Sequence, residues 1–474
     1  MQYRNTFLVI FLYSLIIEAA GCKKFVQINP PNDRIVTASV FNNANAATAA
    51  VLSIYTQMTA ESYSMSLNCG LLSDELKNYS NAPSLIGYYT NSMSPMGTSA
   101  TLWNSAYNYI YRANAIIEGL KNNNDIDKII NNQLTGEAKF IRAYWYFYLA
   151  NCYGDVPLVT STDYTVNSQQ ARTARSAVHQ QVIKDLEEAE GMLNSHFVDQ
   201  SDTTITADRV RPTKWAAIAL LARTYLYTGD YTKAEKNATE VINNSSLFSL
   251  EQDLNKVFLA NSTETIWQLG VFPPTLTNTL DGYAFILKAA PRNNGNGNIS
   301  TISDQLLSAF ESGDQRKTNW IGGFTTTDPP VVTYYFPYKY KVYQSSDITE
   351  YIMMLRLAEQ YLIRAEARVQ LGQDPVSVLE DLNIIRNRAG LSDYSGGIDK
   401  ESLLDTILHE RQVEFFAEWG HRWFDLIRTT KVNEVMRVVT PLKGGVWSPN
   451  WQLFPIPQAE RAMDTHLSQN AGYH

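Results

Sequence analysis

The chain has 474 residues, 45% of them hydrophobic and 18% charged, enough for one large domain or two intergrown ones. Its net charge of −8, without a dense Lys/Arg stretch or an RNP-like aromatic motif, excludes an electrostatic nucleic-acid binder, which needs a basic face to displace counterions. An aromatic content of 12%, with 28 Tyr and 9 Trp, calls either for many buried ring layers or for exposed ring platforms.

The first 21 residues read as a secretory signal. Arg4 supplies a positive start, Thr6 to Ile17 is apolar but too short to span a bilayer, and Ala19, Ala20 and Gly21 precede Cys22. A Cys directly after small residues looks like a bacterial lipobox, although Ala19 stands where Leu is usual and Glu18 lies near the end of the apolar run. Cys22 is therefore the expected lipidated N-terminus, and a diacylglycerol-modified Cys anchors stably. Residues 22–45, polar and containing Pro30–Pro31, read as tether and entry segment. Cys69 and Cys152 do not make a disulfide framework, and Cys152 reads as a small buried hydrophobe. After the signal, no stretch is long and apolar enough to cross a membrane.

The pattern is helical over 46–59, aperiodic and loop-like over 78–99, then helical again over 102–121 and 134–152. A helix pair is expected from Pro212, a favoured first helical residue. Trp215, Ala219, Ala222 and Leu226 share one face, Gly229–Asp230 breaks the helix, and 231–243 follows with Ala234, Ala238 and Val241 inward. The small residues Ala222 and Ala234 have the spacing of a tetratricopeptide repeat, which needs them for close helix approach. The unit 357–388, broken at Gly372, is a second, degenerate copy.

Residues 46–247 thus form an N-terminal helical region, and 248–474 a C-terminal one. Within the latter, 248–351 is a loop-rich insertion with short strands at Thr265–Gln268, Val331–Tyr335 and Tyr338–Val342. A strong helix, Ser402 to Thr429, precedes an irregular tail. The expected fold is mostly α: degenerate tetratricopeptide-like repeats forming a scaffold, with irregular loop-rich insertions and a few short strands.

Enzyme signatures are missing. His409–Glu410 lacks the second His of a zincin pair, the six His show no metal-ligand spacing, and there is no nucleophile elbow, P-loop or dinucleotide fingerprint. No catalytic residue, metal or cofactor is expected. The alternative is a lipid-anchored glycan hydrolase or lyase, which needs only two carboxylates at a suitable separation.

The segment from Glu410 to Arg428 is the most informative. Glu410, Glu414 and Glu418 would share a helical face, with Arg411 reaching Glu414 and Glu418 reaching Arg422. Alternating charges among Phe415, Phe416, Trp419, Trp423 and Phe424 read as an ion-pair network fixing helix register rather than an acid/base site. This segment strongly resembles the signature of SusD/RagB proteins, E-R-x-x-E-F/L-x-x-E-G/W-x-R-W-x-D-L-x-R. Other blocks agree: Gly136 to Tyr144 with Tyr153 to Leu158, the aromatic helix of Trp103, Tyr107, Ile110, Ala113 and Asn114, Arg356 to Ala367, Asn383 to Gly390, and Phe454-Pro455-Ile456-Pro457. The tail from Asp464 to Tyr473 departs in lacking both of the family's usual prolines.

The resemblance implies an outer-membrane lipoprotein facing the cell exterior. It would act as the lid of a SusC-like TonB-dependent transporter and bind oligo- or polysaccharide on loops away from the repeat face. Some members of the family use calcium. Sugar C–H faces stack on aromatic rings while hydroxyls pair with amides and carboxylates. The loop residues suited to this are the aromatics Tyr79, Tyr88, Tyr89, Phe272, Tyr283, Trp320, Tyr334 and Tyr335, with Asp74, Asn78, Asn81, Asn91 and Asn293 as polar partners.

Overall fold

One helix, Lys128–Tyr153, is buried along nearly all of its C-terminal half, and the rest of the fold is arranged around it. The computed structural model describes residues 40–97, 100–271, 277–293 and 299–473; the signal, Cys22, most of the tether and Phe272 lie outside the described residues.

In chain order, α1 (Ala44–Met58) and α2 (Glu61–Leu72) lead into strand β1 (Leu76–Asn78) and a short helix α3 (Pro83–Tyr89). Then come α4 (Ala100–Leu120), the central α5 (Lys128–Tyr153) and α6 (Arg175–Met192). Asp127 caps α5 by accepting from the Ile129 amide, and Gly154, at φ 75°, ends it. Both α4 and α6 pack on α5. Arg142 of α5 locks onto Asp185 of α6 through two bonds of 2.8 and 2.6 Å.

The pair α7 (Lys214–Thr228) and α8 (Tyr231–Ile242) turns at Gly229, which is left-handed at φ 80°. Ala219, Ala222, Ala234, Ala238 and Val241 are buried, as the repeat spacing requires. The helix starts at Lys214 after Thr213, so Pro212 precedes it, and Trp215 is only half-buried. The second pair, α10 (Leu357–Gln370) and α11 (Pro375–Arg388), turns at Gly372. Arg223 of α7 joins the two pairs by gripping Glu359 of α10 at 2.7 and 2.6 Å, both side chains buried.

Between these pairs lies the insertion. Strand β2 (Thr265–Leu269) pairs antiparallel with β6 (Ile352–Arg356), both fully buried. The helix α9 (Leu280–Phe285) precedes β3 (Ser300–Ile302), which pairs with β1, and β4 (Ile321–Thr325) forms a hairpin with β5 (Thr333–Pro337). The expected strand over Tyr338–Val342 is irregular chain instead. The stretch read as loop over 78–99 contains α3, which Pro83 starts at its first turn.

The predicted long helix over 402–429 is broken. It runs as α12 (Lys400–Phe415) and α13 (His421–Arg428), followed in the supposedly irregular tail by α14 (Val432–Leu442). The break is a left-handed turn: Ala417, Trp419 and Gly420 have φ of 52°, 48° and 76°. Two of these are not glycine, so the surroundings must hold the turn. They do so through the Trp419 amide to Ser66 Oγ at 3.1 Å and the Trp419 indole to the Met353 carbonyl at 2.9 Å.

That break also rearranges the expected ion pairs. Arg411 pairs with Asp425 at 2.7 Å, and Arg422 pairs with Asp74 at 2.8 and 2.7 Å. Glu414, fully buried, receives Arg316 at 3.0 Å together with Arg356 and Arg388. Glu418 receives Arg356 at 2.9 Å and also Lys339. The network is therefore assembled largely from segments far apart in sequence, with Arg428 to Asp425 at 2.8 Å as a neighbour pair on one helix. It bolts the insertion, through Arg316 and Lys339, to the helical scaffold. Burial opposes the charge on Glu414, but Arg388, Arg356 and Arg316 override it and hold the carboxyl well below the ordinary range.

Candidate functional site

The insertion gathers half-buried rings on one surface. Extended strands alternate their side chains, so Tyr334 and Phe336 of β5 point to one face and Tyr335 to the other. Phe336 is buried with Ile286 and Leu287, and Phe324, Tyr334, Tyr338 and Tyr343 pack around this small core. Gly322 makes room: a Cβ there would sit 2.4 Å from the Phe336 ring. Phe324 stands opposite Tyr334 in the hairpin register.

The surface continues in both directions. Tyr79 follows β1, its amide extending the β1–β3 pairing to the Ile299 carbonyl at 2.8 Å. Its ring meets Tyr334 edge to face, with centroids 6.0 Å apart and planes at 83°. Tyr89, at the end of α3, is an electrostatic neighbour of Tyr79. On the other side Tyr283 of α9 stacks on Tyr343, with centroids 5.0 Å apart and planes at 26°.

Three rings carry a lysine ammonium. Lys443 lies over Tyr89 at 5.5 Å, Lys341 over Tyr338 at 4.3 Å and Lys288 over Tyr343 at 5.1 Å from the ring centroid. Lys443 also donates to the carbonyls of Leu71, Leu72 and Ser73 at 2.8, 2.9 and 2.7 Å, closing the C-terminal end of α2. Burial pushes Lys443 down to about 7 and Lys341 down to about 8, whereas Lys288 is exposed.

Of the residues singled out from sequence, Tyr79, Tyr89, Tyr283 and Tyr334 come together on this surface. Tyr335, 43% exposed, occupies the opposite face of the hairpin, and Asn78, Asn81 and Asn293 are half-buried or exposed on adjoining segments. Four belong to the frame instead. Asp74 is sequestered by Arg422, and Tyr88 is buried against Phe454. Asn91 is buried with its amide on the Leu72 carbonyl, and Trp320 is fully buried with its indole on the Leu254 carbonyl. Sequence reasoning missed Phe324, Tyr338 and Tyr343. The alternation Tyr334-Tyr335-Phe336 signalled a hairpin partner such as Phe324; nothing local signalled Tyr343.

Among the described residues no three His, Cys, Asp or Glu side chains form a metal-holding group. The buried carboxyls pushed furthest up, Glu75 beside β1 and Asp281 on α9, are enclosed and only 2% exposed. A separate cleft of about 690 Å³ lies between the α7–α8 turn and α12. Two ion pairs line it: Arg428 holds Glu366 at 2.8 Å, and Lys431 holds Asp405 at 3.0 Å. No helix among the described residues is long and apolar enough to cross a membrane.

Two family models match and together cover residues 28 to 473. The model described as the SusD family matches 227–473, and the one described as starch-binding, associating with outer membrane, matches 28–226. A SusD-like protein, P25, of Formosa agariphila is 24% identical over the full length of both chains. A SusD superfamily structure from Bacteroides vulgatus superposes with a TM-score of 0.77 at 21% identity, covering 91% of this chain and 100% of that one. A laminarin-binding SusD-like protein superposes with a TM-score of 0.73 at 23% identity, covering 91% and 99%.

Proposed function

The chain belongs to the SusD family, and on that premise we propose that it is an outer-membrane glycan-binding lipoprotein that captures an oligo- or polysaccharide and passes it to a SusC-like TonB-dependent transporter. The family is one of carbohydrate-binding, non-catalytic proteins, and one solved relative is named for binding laminarin. The observation that carries the reading for this chain is the ring surface of Tyr79, Tyr334, Tyr283 and their neighbours, mounted on a rigid helical frame. Half-buried tyrosines present an apolar face for sugar C–H groups and a hydroxyl for the ring edge. Asn78, Asn81 and Asn293 are the polar partners proposed beside them.

Replacing Tyr79 and Tyr334 together by Ala is expected to weaken glycan binding by about 1–3 kcal/mol and to lower the thermal midpoint modestly with the fold retained, since both rings are only half-buried. Isothermal titration against a panel of oligosaccharides measures it; undiminished affinity in the double variant would move the site off this surface. Attachment is proposed through Cys22, and orientation toward the exterior follows the family. Cys22→Ala is expected to transfer the protein from the membrane fraction to the soluble fraction on ultracentrifugation. Retention in the membrane pellet would defeat the anchor.

A further inference from the structure

The C-terminal segment encloses a further open cleft that shares no lining residue with the tyrosine surface. Its volume is about 700 Å³, within the usual span of about 300–1,000 Å³ for small-molecule sites. Trp451, half-buried on a helical turn at Pro449–Gln452, supplies a ring, and Met96, 85% exposed, adds a thioether. Gln458 and Arg461 line it from the short helix Gln458–Met463. The Arg461 guanidinium donates to the Leu467 carbonyl at 3.3 Å and to the Gln458 side-chain oxygen at 3.2 Å. That leaves Arg461 Nη2 and Gln458 Nε2 without a protein partner among the described residues. No carboxylate lines the cleft among the described residues, so these donors are left to water or to a ligand's oxygens.

The walls are fixed before any ligand arrives. The Gln458 backbone amide donates to the Pro95 carbonyl at 2.9 Å, and the Tyr473 hydroxyl to the Leu453 carbonyl at 2.8 Å. The Asn470 side-chain amide clips the tail to the carbonyls of Tyr153 and Phe454 at 2.9 and 2.7 Å. Gly472, left-handed at φ 86°, comes so close to Asn450 that a Cβ would lie 2.6 Å from the Asn450 Cβ. Its carbonyl stands 3.5 Å from the Trp451 indole nitrogen. This tail, Asp464 to Tyr473, is the block that departs from the family's usual prolines. A site held in place in this way has little ordering cost left when a ligand binds.

We propose that this cleft is a second carbohydrate site, which stacks one sugar ring on the Trp451 indole and takes its edge oxygens on Gln458 and Arg461. This rests on the carbohydrate-binding reading above and adds a site to it. An indole offers sugar C–H groups a larger face than a phenol does, and amide and guanidinium N–H groups donate to hydroxyl and ring oxygens without needing charge on the ligand. A protein partner fits less well, because polar donors interrupt the apolar side chains of the cleft.

The test titrates the full chain, by calorimetry, with neutral oligosaccharides of equal length from β-glucan, mannan and galactan. The best binder is expected to occupy two sites per chain. Trp451→Ala should remove one of them and leave the other, and Trp451→Phe should keep both, with circular dichroism confirming that each variant folds. Gln458→Ala, a change at an exposed side chain, should weaken the same site by about fivefold without touching the other. The Tyr79→Ala/Tyr334→Ala double variant should leave the Trp451 site intact. Isotherms unmoved by Trp451→Ala and by Gln458→Ala overturn the second site and leave carbohydrate binding elsewhere on the chain standing. A single site, lost in Trp451→Ala and kept in the tyrosine double variant, places capture in the cleft and removes it from the tyrosine surface. Absence of binding to every sugar takes down both readings.

Discussion

Glu414→Gln is expected to lower the unfolding free energy by about 3–5 kcal/mol, the scale for breaking a buried ion pair from one side. The carboxylate is completely enclosed and serves Arg316, Arg356 and Arg388 at once. An amide keeps the shape but removes the charge, leaving three guanidinium groups in low dielectric with only Glu264, Glu410, Glu418 and Asp314 to share. Because Arg316 belongs to the insertion and Arg388 to α11, the loss acts on the junction between them. Urea unfolding monitored by tryptophan fluorescence gives the number. A change below 1 kcal/mol would mean that the surrounding carboxylates redistribute and that Glu414 is not the hub.

The second large effect concerns pH and has the opposite sign to ordinary acid denaturation. Burial, then the neighbouring Asp74, raises Glu75 to about 8 against the offsetting Arg422 and Lys339 and the amide of Ala417; burial raises Asp281 to about 7, with Ser62 opposing and Glu418 adding. The geometry agrees, since Glu75 Oε1 and Asp281 Oδ2 are buried without a hydrogen-bond partner. The other groups facing them are Cys69 toward Glu75, and Tyr63 and Tyr340 toward Asp281, phenols and a thiol that burial keeps neutral.

A carboxyl whose folded value exceeds its unfolded value binds more protons when folded. Its contribution is therefore complete below about pH 4 and is lost as pH rises through about 7 for Asp281 and about 8 for Glu75. Asp281→Asn mimics the protonated acid and is expected to add on the order of 3 kcal/mol at pH 8 and little at pH 4. Glu75→Gln should behave alike, with its gain centred one unit higher. Denaturant midpoints measured at pH 4, 6 and 8 decide it: a variant gain independent of pH would show that neither carboxyl is held protonated. On the acid side the sign reverses, because Glu414 and Asp74 are held below their ordinary values and stability falls as they protonate.

The helical frame was readable because its constraints are local. Ala222, Gly229 and Ala234 mark a helix pair by spacing alone, and the pair is present, broken at Gly229 as expected, with that glycine left-handed. The motif from Glu410 to Arg428 was legible as an ion-pair network but not as the pairs it makes. A left-handed Ala417 and Trp419 have no sequence signal, and they redirect Glu418 and Arg422 toward Arg356 and Asp74. The same gap separates the candidate rings. Tyr334 and Tyr79 were recognisable as loop aromatics, whereas Tyr88 and Trp320 were indistinguishable from them until packing placed them inside. Tyr343 gains its role only from Tyr283, 60 residues earlier and on another element.

The pairing of β1 with β3, and of Asp74 with Arg422 across 348 residues, has a consequence for biogenesis. Helices α4 to α8 make mostly near-neighbour contacts and can zip up while the chain is still emerging. The ring surface cannot, because Tyr79 waits for the hairpin of β4 and β5 and its base waits for Arg422 and Lys443. A nascent chain or a premature stop before residue 422 would thus carry every ring of the proposed surface but lack the Arg422 and Lys443 contacts beneath it, making that surface the last part of the fold to be secured.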